Sequence, residues 1–203
     1  SGTFTNKRMI SHPNQESFVQ AGGIISHSSD YKDDIPLNEL KGRDVVIIGG
    51  SKSATDVAVH ASNSGANQVT LVMRRNVWRV PRFVGGLINF KHLLYMRAQE
   101  IQFHSWKIAS PLSLLLWYIA TPLVYMHFLM LELLLILQLG LRKWNMMPTT
   151  RIKDSVSCEI PIVTEGFTEL IESGDIVPIT SEVQSYQGKN LTLTNGEEIK
   201  ADV

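Results

Sequence analysis

The sequence predicts an α/β fold: a small parallel sheet with flanking helices, a three-stranded antiparallel meander and a helical insertion. Three observations carry that prediction. Two short apolar runs, at 44–48 and 69–73, bracket a helical pattern and form a strand–helix–strand unit of about thirty residues. Three further strand-like runs near the C-terminal end are separated by turn residues. Between these groups, residues 83–148 are Leu-rich and helical in character.

Each element has a physical reason. Residues 1–43 are mostly irregular, with Gly22-Gly23 and a polar stretch from Ser26 to Asp34. Asp44-Val45-Val46-Ile47-Ile48 is apolar on both faces, as a buried parallel strand must be, and it stops at Gly49-Gly50. From Ser53 to Ser64, Ala54, Val57, Ala58 and Ala61 recur at spacings of three and four, and Gly65 stands where a helix stop is expected. Val69 to Met73 is the second strand and ends at Arg74-Arg75. Phe167 to Glu172 reads as a short helix closed by Gly174. Ile176 to Ile179, Val183 to Tyr186 and Leu191 to Leu193 read as the three meander strands, with turns at Gly188-Lys189 and Asn195-Gly196.

Composition narrows the function classes. The chain has 203 residues, 19 basic and 19 acidic, and a net charge of zero. No surplus of cations marks a nucleic-acid surface. Cys158 is the single cysteine, so an internal disulfide is impossible and a reducing, cytoplasmic setting is expected. Cys158 has no histidine or metal-ligand neighbour in sequence and reads as inert. The six histidines show no metal spacing. No basic and apolar secretory signal opens the chain.

The turn after the first strand carries the chemistry. Gly49 permits a sharp turn that a side chain would obstruct, and Gly50, Ser51 and Lys52 follow it. Ser53 and Ala54 open the helix, where small Ala54 allows close packing against the strand. A pyrophosphate placed there meets free N–H groups and the positive end of a helix dipole. Ser51 stands where the dinucleotide fingerprint usually has its second glycine, and its hydroxyl can itself donate to phosphate. The end of the second strand selects the cofactor. An acidic residue there accepts from a ribose 2′-OH, whereas a cation takes a 2′-phosphate. This sequence offers Arg74-Arg75 and no carboxylate beside them, so NADPH is the expected ligand. A solvated arginine pair at a strand end is the competing reading. The unit is thus a Rossmann-like NAD(P)-binding domain.

Three motifs in order extend this reading: Gly23-x-x-x-His27-x-x-x-Tyr31, then Lys41-Gly42-x-x-Val45-Val46-Ile47-Ile48-Gly49-Gly50-x-x-Ser53-Ala54-x-Asp56, then Arg74-x-x-x-Trp78-x-x-Pro81-Arg82. Together they resemble the flavin-containing monooxygenase superfamily and are especially similar to its plant auxin-forming branch. Ala21 stands where the family's first fingerprint has Phe. The resemblance implies a single NADPH-binding domain, 1–203, inserted in a flavoprotein with two dinucleotide-binding domains. On that pattern the chain is entered after a turn like Ser1-Gly2 and left through a strand like Ala201-Asp202-Val203. It places Gly49, Ser51, Ser53 and Ala54 on the pyrophosphate, Arg74 on the 2′-phosphate, and Arg75 and Lys52 as helpers. His27 and Tyr31 fall near the meeting of nicotinamide and flavin, with a structural role in the linker as the alternative for His27. Asp56 is read as favourable to the helix dipole. Trp78 and Arg82 are read either as shaping the substrate side or as packing residues.

The implied activity is that of the parent enzyme: NADPH reduces FAD by hydride transfer, and reduced flavin activates O₂ to oxygenate a small organic substrate. FAD is expected to bind mainly outside this chain, which by itself is expected to be inactive. Two alternatives stay open. One is an NADPH-dependent flavin reductase of the disulfide-reductase kind, which no second cysteine supports. The other is a membrane-docking or protein-binding module with a vestigial nucleotide turn.

The insertion is the second problem the sequence poses. From Ile108 to Leu141 the one formal charge is Glu132, and Pro111 and Pro122 interrupt the run. Residues 122–141 are long enough for a helix to cross a hydrocarbon core of ~30 Å. A single crossing would separate the nucleotide turn from the C-terminal strands of one sheet. Two helices, 110–121 and 122–141, are therefore expected to cap the substrate cleft of the parent's FAD-binding domain, with docking on a membrane surface and then a true span as the alternatives. Self-association is expected where that face lacks cover.

Overall fold

The computed structural model describes residues 7, 9–30, 39–94, 110–155 and 160–203. These form two compact units, one built from Ser1–Asn76 with Thr164–Val203 and the other from Val77–Val163. Tyr31 and Cys158 lie outside the described residues.

The first unit contains α1 (Gln15–Gln20), β1 (Asp44–Ile48), α2 (Lys52–Asn63) and β2 (Gln68–Met73). It continues with α6 (Phe167–Ser173), β5 (Ile176–Thr180), β6 (Val183–Gln187), β7 (Asn190–Leu193) and β8 (Glu198–Lys200). Strands β1, β2 and β5 make a parallel sheet in the order β1-β2-β5, with Val45 opposite Val69 and Val69 opposite Ile176. Central β2 is the most covered strand: Val69, Leu71, Val72 and Met73 are all buried. Burying each such side chain contributes on the order of 1.5–3 kcal/mol. Helix α2 packs its alanine face, Ala54, Ala58 and Ala61, against this sheet. The small side chains let helix and strand approach closely.

Ile176–Thr180 corrects the expected meander. It is the third parallel strand, not the first antiparallel one. Its apolar residues run together instead of alternating, as parallel strands commonly do, with Ile176 buried and Val177 exposed. Pro178, which cannot donate to a ladder, is tolerated because β5 lies at the end of the sheet order. The three-stranded meander is instead β6-β7-β8, turning at Gly188 and Gly196, both in left-handed backbone with φ of 57° and 84°. Phe18, Val72, Val183, Tyr186, Leu191, Leu193 and Ala201 form one core that joins α1, the sheet and the meander.

The last residues close the outer edge of β1. Val46 N–H donates to the Val203 carbonyl at 2.8 Å, Asp202 N–H to Asp44 at 2.8 Å, and Ile24 N–H to Asp202 at 3.0 Å. Two carboxylates pin this edge. Asp44 accepts from Lys200 Nζ at 2.7 Å and Asn67 Nδ2 at 2.6 Å, and Asp202 accepts from Lys189 Nζ at 2.8 Å. Those lysine hydrogen bonds hold both carboxyls below their usual range.

The second unit holds β3 (Phe83–Val84), β4 (Ile88–Asn89), α3 (Lys91–Leu94), α4 (Pro111–Gln138) and α5 (Ile152–Ser155). Its long helix corrects a second expectation. Instead of two helices meeting at Pro122, α4 is one helix of 28 residues with Pro122 inside it. Proline removes one N–H and crowds the preceding turn, but the Leu-rich sequence on both sides is strongly helix-forming and carries the helix through. Two of its polar residues find partners within this unit. Glu132 lies on the buried stripe with Phe128, Leu131, Leu135 and Leu139. Its carboxylate accepts from Arg151 Nη1 at 2.7 Å and from the Ile152 N–H at 2.9 Å. Gln138 donates to the Phe83 carbonyl at 2.8 Å and accepts from the Gly85 N–H at 2.9 Å. Outward, Leu112, Ile119, Met126, Leu133 and Leu137 are exposed. The stretch Tyr118–Gln138 is long and apolar enough to cross a membrane.

Trp78 belongs to the interior of this second unit. It is buried, and its indole N–H donates to the Thr150 carbonyl at 2.7 Å. Neighbouring Arg79 is buried as well, and burial pushes its guanidinium down to about 10. Arg82 is exposed.

Candidate functional site

The site grows out of the C-terminal end of β1. Gly49 has φ 145°, a backbone region that is essentially glycine's own, and its N–H still donates to the Val72 carbonyl at 2.9 Å. The chain therefore leaves the ladder in a single residue. A side chain on Gly50 would meet Met73 Cγ at 3.3 Å and the Arg75 carbonyl at 3.6 Å, so the turn lies directly against the end of β2. Ser51 caps α2 in extended backbone, and its hydroxyl makes no cap hydrogen bond. That leaves the exposed hydroxyl and the first N–H groups of α2 available to an anion.

A cleft of about 340 Å³ opens on this turn. Gly49, Gly50, Ser51 and Ser53 line it together with Ser26, His27 and Ser28. Phe18, Tyr186 and Val203 add apolar lining, and no carboxylate side chain lines it among the described residues. Its size and mixed lining suit a small organic ligand. The structure thus brings two separate sequence motifs, the Gly23–His27 stretch and the glycine turn, to one cavity.

His27 is held within its own loop. Its Nδ1 accepts from the Ser29 N–H at 3.2 Å and lies 2.8 Å from the Ser29 hydroxyl. In the neutral ring the proton then belongs on Nε2. Gly23, four residues earlier, is buried beneath α1, where a Cβ would overlap the ring of Phe18. The glycine of that motif is required by packing.

Helix periodicity sorts the first turn of α2 into two faces. Ser53, Ala54 and Val57 face the cleft. Lys52, Thr55 and Asp56, at spacings of three and four, share the other face. There Lys52 Nζ donates to Asp56 Oδ1 at 2.5 Å and to Thr164 Oγ1 at 2.9 Å. Thr164 in turn donates to Asp56 Oδ1 at 2.6 Å. Asp56 is therefore more than a favourable charge near the helix dipole: it closes a three-membered polar cluster. The sequence offered the Lys-x-x-x-Asp spacing as a signal for the ion pair, but nothing in it joined residue 164 to residue 52.

At the end of β2, Arg74 and Arg75 are both exposed. The side chain of Arg74 is 74% exposed, and its Nε lies 4.0 Å from the Glu182 carboxylate. The carboxylate missing from the local sequence is thus supplied by the chain just after β5. So exposed and long a pair is worth little, and Arg74 can exchange it for another anion.

Comparison with known proteins follows the same lines. A probable flavin-containing monooxygenase of Arabidopsis thaliana is 27% identical over 191 residues, covering 89% of this chain and 36% of that protein. A probable indole-3-pyruvate monooxygenase of the same plant is 24% identical over 189 residues, covering 92% of this chain and 42% of that protein. The chain therefore spans well under half the length of either relative. In fold it is similar to the polycyclic ketone monooxygenase of the fungus Thermothelomyces thermophila, with a TM-score of 0.52 and 13% identity over 91% of this chain and 34% of that one. The sequence model of the flavin-binding monooxygenase-like family matches residues 1–120, which take in the His27 loop, the glycine turn and the paired arginines of the site just described, and the chain belongs to that family.

Proposed function

We propose that this chain is the NADPH-binding part of an FAD-dependent monooxygenase. The observation that carries the reading is the backbone at Gly49, where a parallel strand ends in one glycine-only residue and opens a 12-residue helix over a cleft. The turn at 49–54 would receive the pyrophosphate on the first N–H groups of α2 and the Ser51 hydroxyl, with Gly49 giving the turn its backbone shape. Arg74, with Arg75, would receive the 2′-phosphate, and Lys52 would assist from the first turn of α2. The nicotinamide half would run into the cleft past Ser26, His27 and Ser28, where polar side chains of that loop could orient a carboxamide. When bound, the nicotinamide and flavin supply hydride transfer and oxygen activation. The chain's own residues bind, orient and exclude water. The oxygenated substrate is a small organic molecule met in the parent enzyme, together with an FAD-binding region of that chain.

Titration with NADPH and NADH tests this. Wild-type protein is expected to prefer NADPH, and Arg74→Ala to weaken NADPH binding about ten- to a hundredfold while barely changing NADH, as the loss of a charge-assisted hydrogen bond implies. Equal losses for both nucleotides would remove Arg74 from the phosphate.

A further inference from the structure

The polar cluster beside the turn has a consequence for cofactor choice. Lysine carries a flexible stem and three donors, and an exposed lysine ordinarily gives up side-chain entropy when it binds an anion. Here that freedom is already spent. Two of the three N–H groups of Lys52 are committed, to Asp56 Oδ1 at 2.5 Å and to Thr164 Oγ1 at 2.9 Å, while the side chain stays 43% exposed. Thr164 is fixed in its turn. Its hydroxyl donates to Asp56 at 2.6 Å, it lies 3.1 Å from Thr55 Oγ1, and its carbonyl accepts from Phe167 N–H at 3.1 Å at the start of α6. Thr55 donates to the Lys52 carbonyl at 2.8 Å, which braces the same turn from within.

The cluster has a definite side. It lies on the face of α2 that turns away from the cleft, next to α6, which packs on both α2 and β5. Strand β5 neighbours β2, whose end delivers Arg74 and Arg75. A dinucleotide straddling the turn with its nicotinamide in the cleft sends its adenosine half to this side.

We propose that Thr164 is a positioning residue for the 2′-phosphate: it holds the Lys52 ammonium, with Asp56, so that its third N–H meets the phosphate beside Arg74. This rests on the NADPH reading above. Thr164 touches no part of the nucleotide; it acts through Lys52 alone.

Thr164→Val removes the hydroxyl, keeps the shape and changes no charge. Calorimetric titration should show NADPH binding weakened about fivefold, the scale of one hydrogen bond to a partly exposed charge, with NADH unchanged. Thr164→Ser should restore wild-type affinity. In a Lys52→Ala background, which lowers NADPH affinity by itself, adding Thr164→Val should have no further effect. A thermal melt run alongside separates binding from folding, because a purely structural role would lower the melting temperature and both affinities together. Thr164→Val with wild-type NADPH affinity, or with equal losses for NADPH and NADH, overturns the proposal. If Arg74→Ala still erases the NADPH preference in that case, the NADPH reading stands and the positioning role alone falls. Wild-type protein that binds neither nucleotide overturns both.

Discussion

Helix α2 and helix α4 solve opposite problems. Helix α2 has 12 residues and buries Ala54, Thr55, Ala58, Val59 and Ala61 on the side toward the sheet, with polar residues on the side toward solvent. Helix α4 has 28 residues and is apolar on nearly every face, yet its buried side chains among those described all fall at or beyond Phe128. The short helix is amphipathic, so its own pattern says which side is covered. The long one has no such contrast, and its one charged side chain, Glu132, lies on the buried face with Arg151 and the Ile152 N–H as partners. In the polar helix the apolar residues mark the buried face; in the apolar helix the partnered carboxylate marks it.

The largest expected effect tests that last statement. Glu132→Ala strands the Ile152 N–H in a buried position and leaves Arg151 without its carboxylate. Urea unfolding should show a loss of about 2–3 kcal/mol, with Glu132→Gln, which keeps an acceptor, losing less. A loss under about 0.5 kcal/mol for the alanine variant would mean that leucine packing alone sets the face.

A smaller effect is expected at the start of α2. Gly49→Ala should cost about 1–3 kcal/mol, because φ 145° is strained for any side chain. A Cβ there would stand 3.4 Å from Ala54 Cβ, an ordinary contact, so the cost is in the backbone and not in space. NADPH affinity should fall more than stability does, since the turn that presents the N–H groups is displaced. Retained affinity with lowered stability would separate the turn from the binding site.

The smallest effect is expected on the outer face of α4. Leu133→Glu with Leu137→Glu, side chains in residues 56% and 70% exposed, should change unfolding free energy by no more than about 0.5 kcal/mol. A larger loss would show that the chain itself covers this face, and the contrast between the two helices would fail.

What the sequence by itself determined was everything whose cause is local. Strand β1, the glycine turn, helix α2 and strand β2 were legible within a residue or two, because periodicity, a glycine stop and a continuous apolar run each act over a few neighbours. So were the turns at Gly188 and Gly196. Tertiary structure decided what depends on partners far apart in the chain. Whether Ile176–Thr180 joined the meander or the parallel sheet turned on which strand it met, and an apolar run without alternation fits more than one neighbour. Pro122 looked like a boundary because proline's penalty is local, whereas the helix around it gains from its whole length. Glu132 and Arg151 are 19 residues apart, Lys52 and Thr164 are 112 apart, and Arg74 meets Glu182 only through the fold. A side-chain hydrogen bond or ion pair leaves no periodic trace in sequence, so the turn could be read directly and the residues that steady it could not.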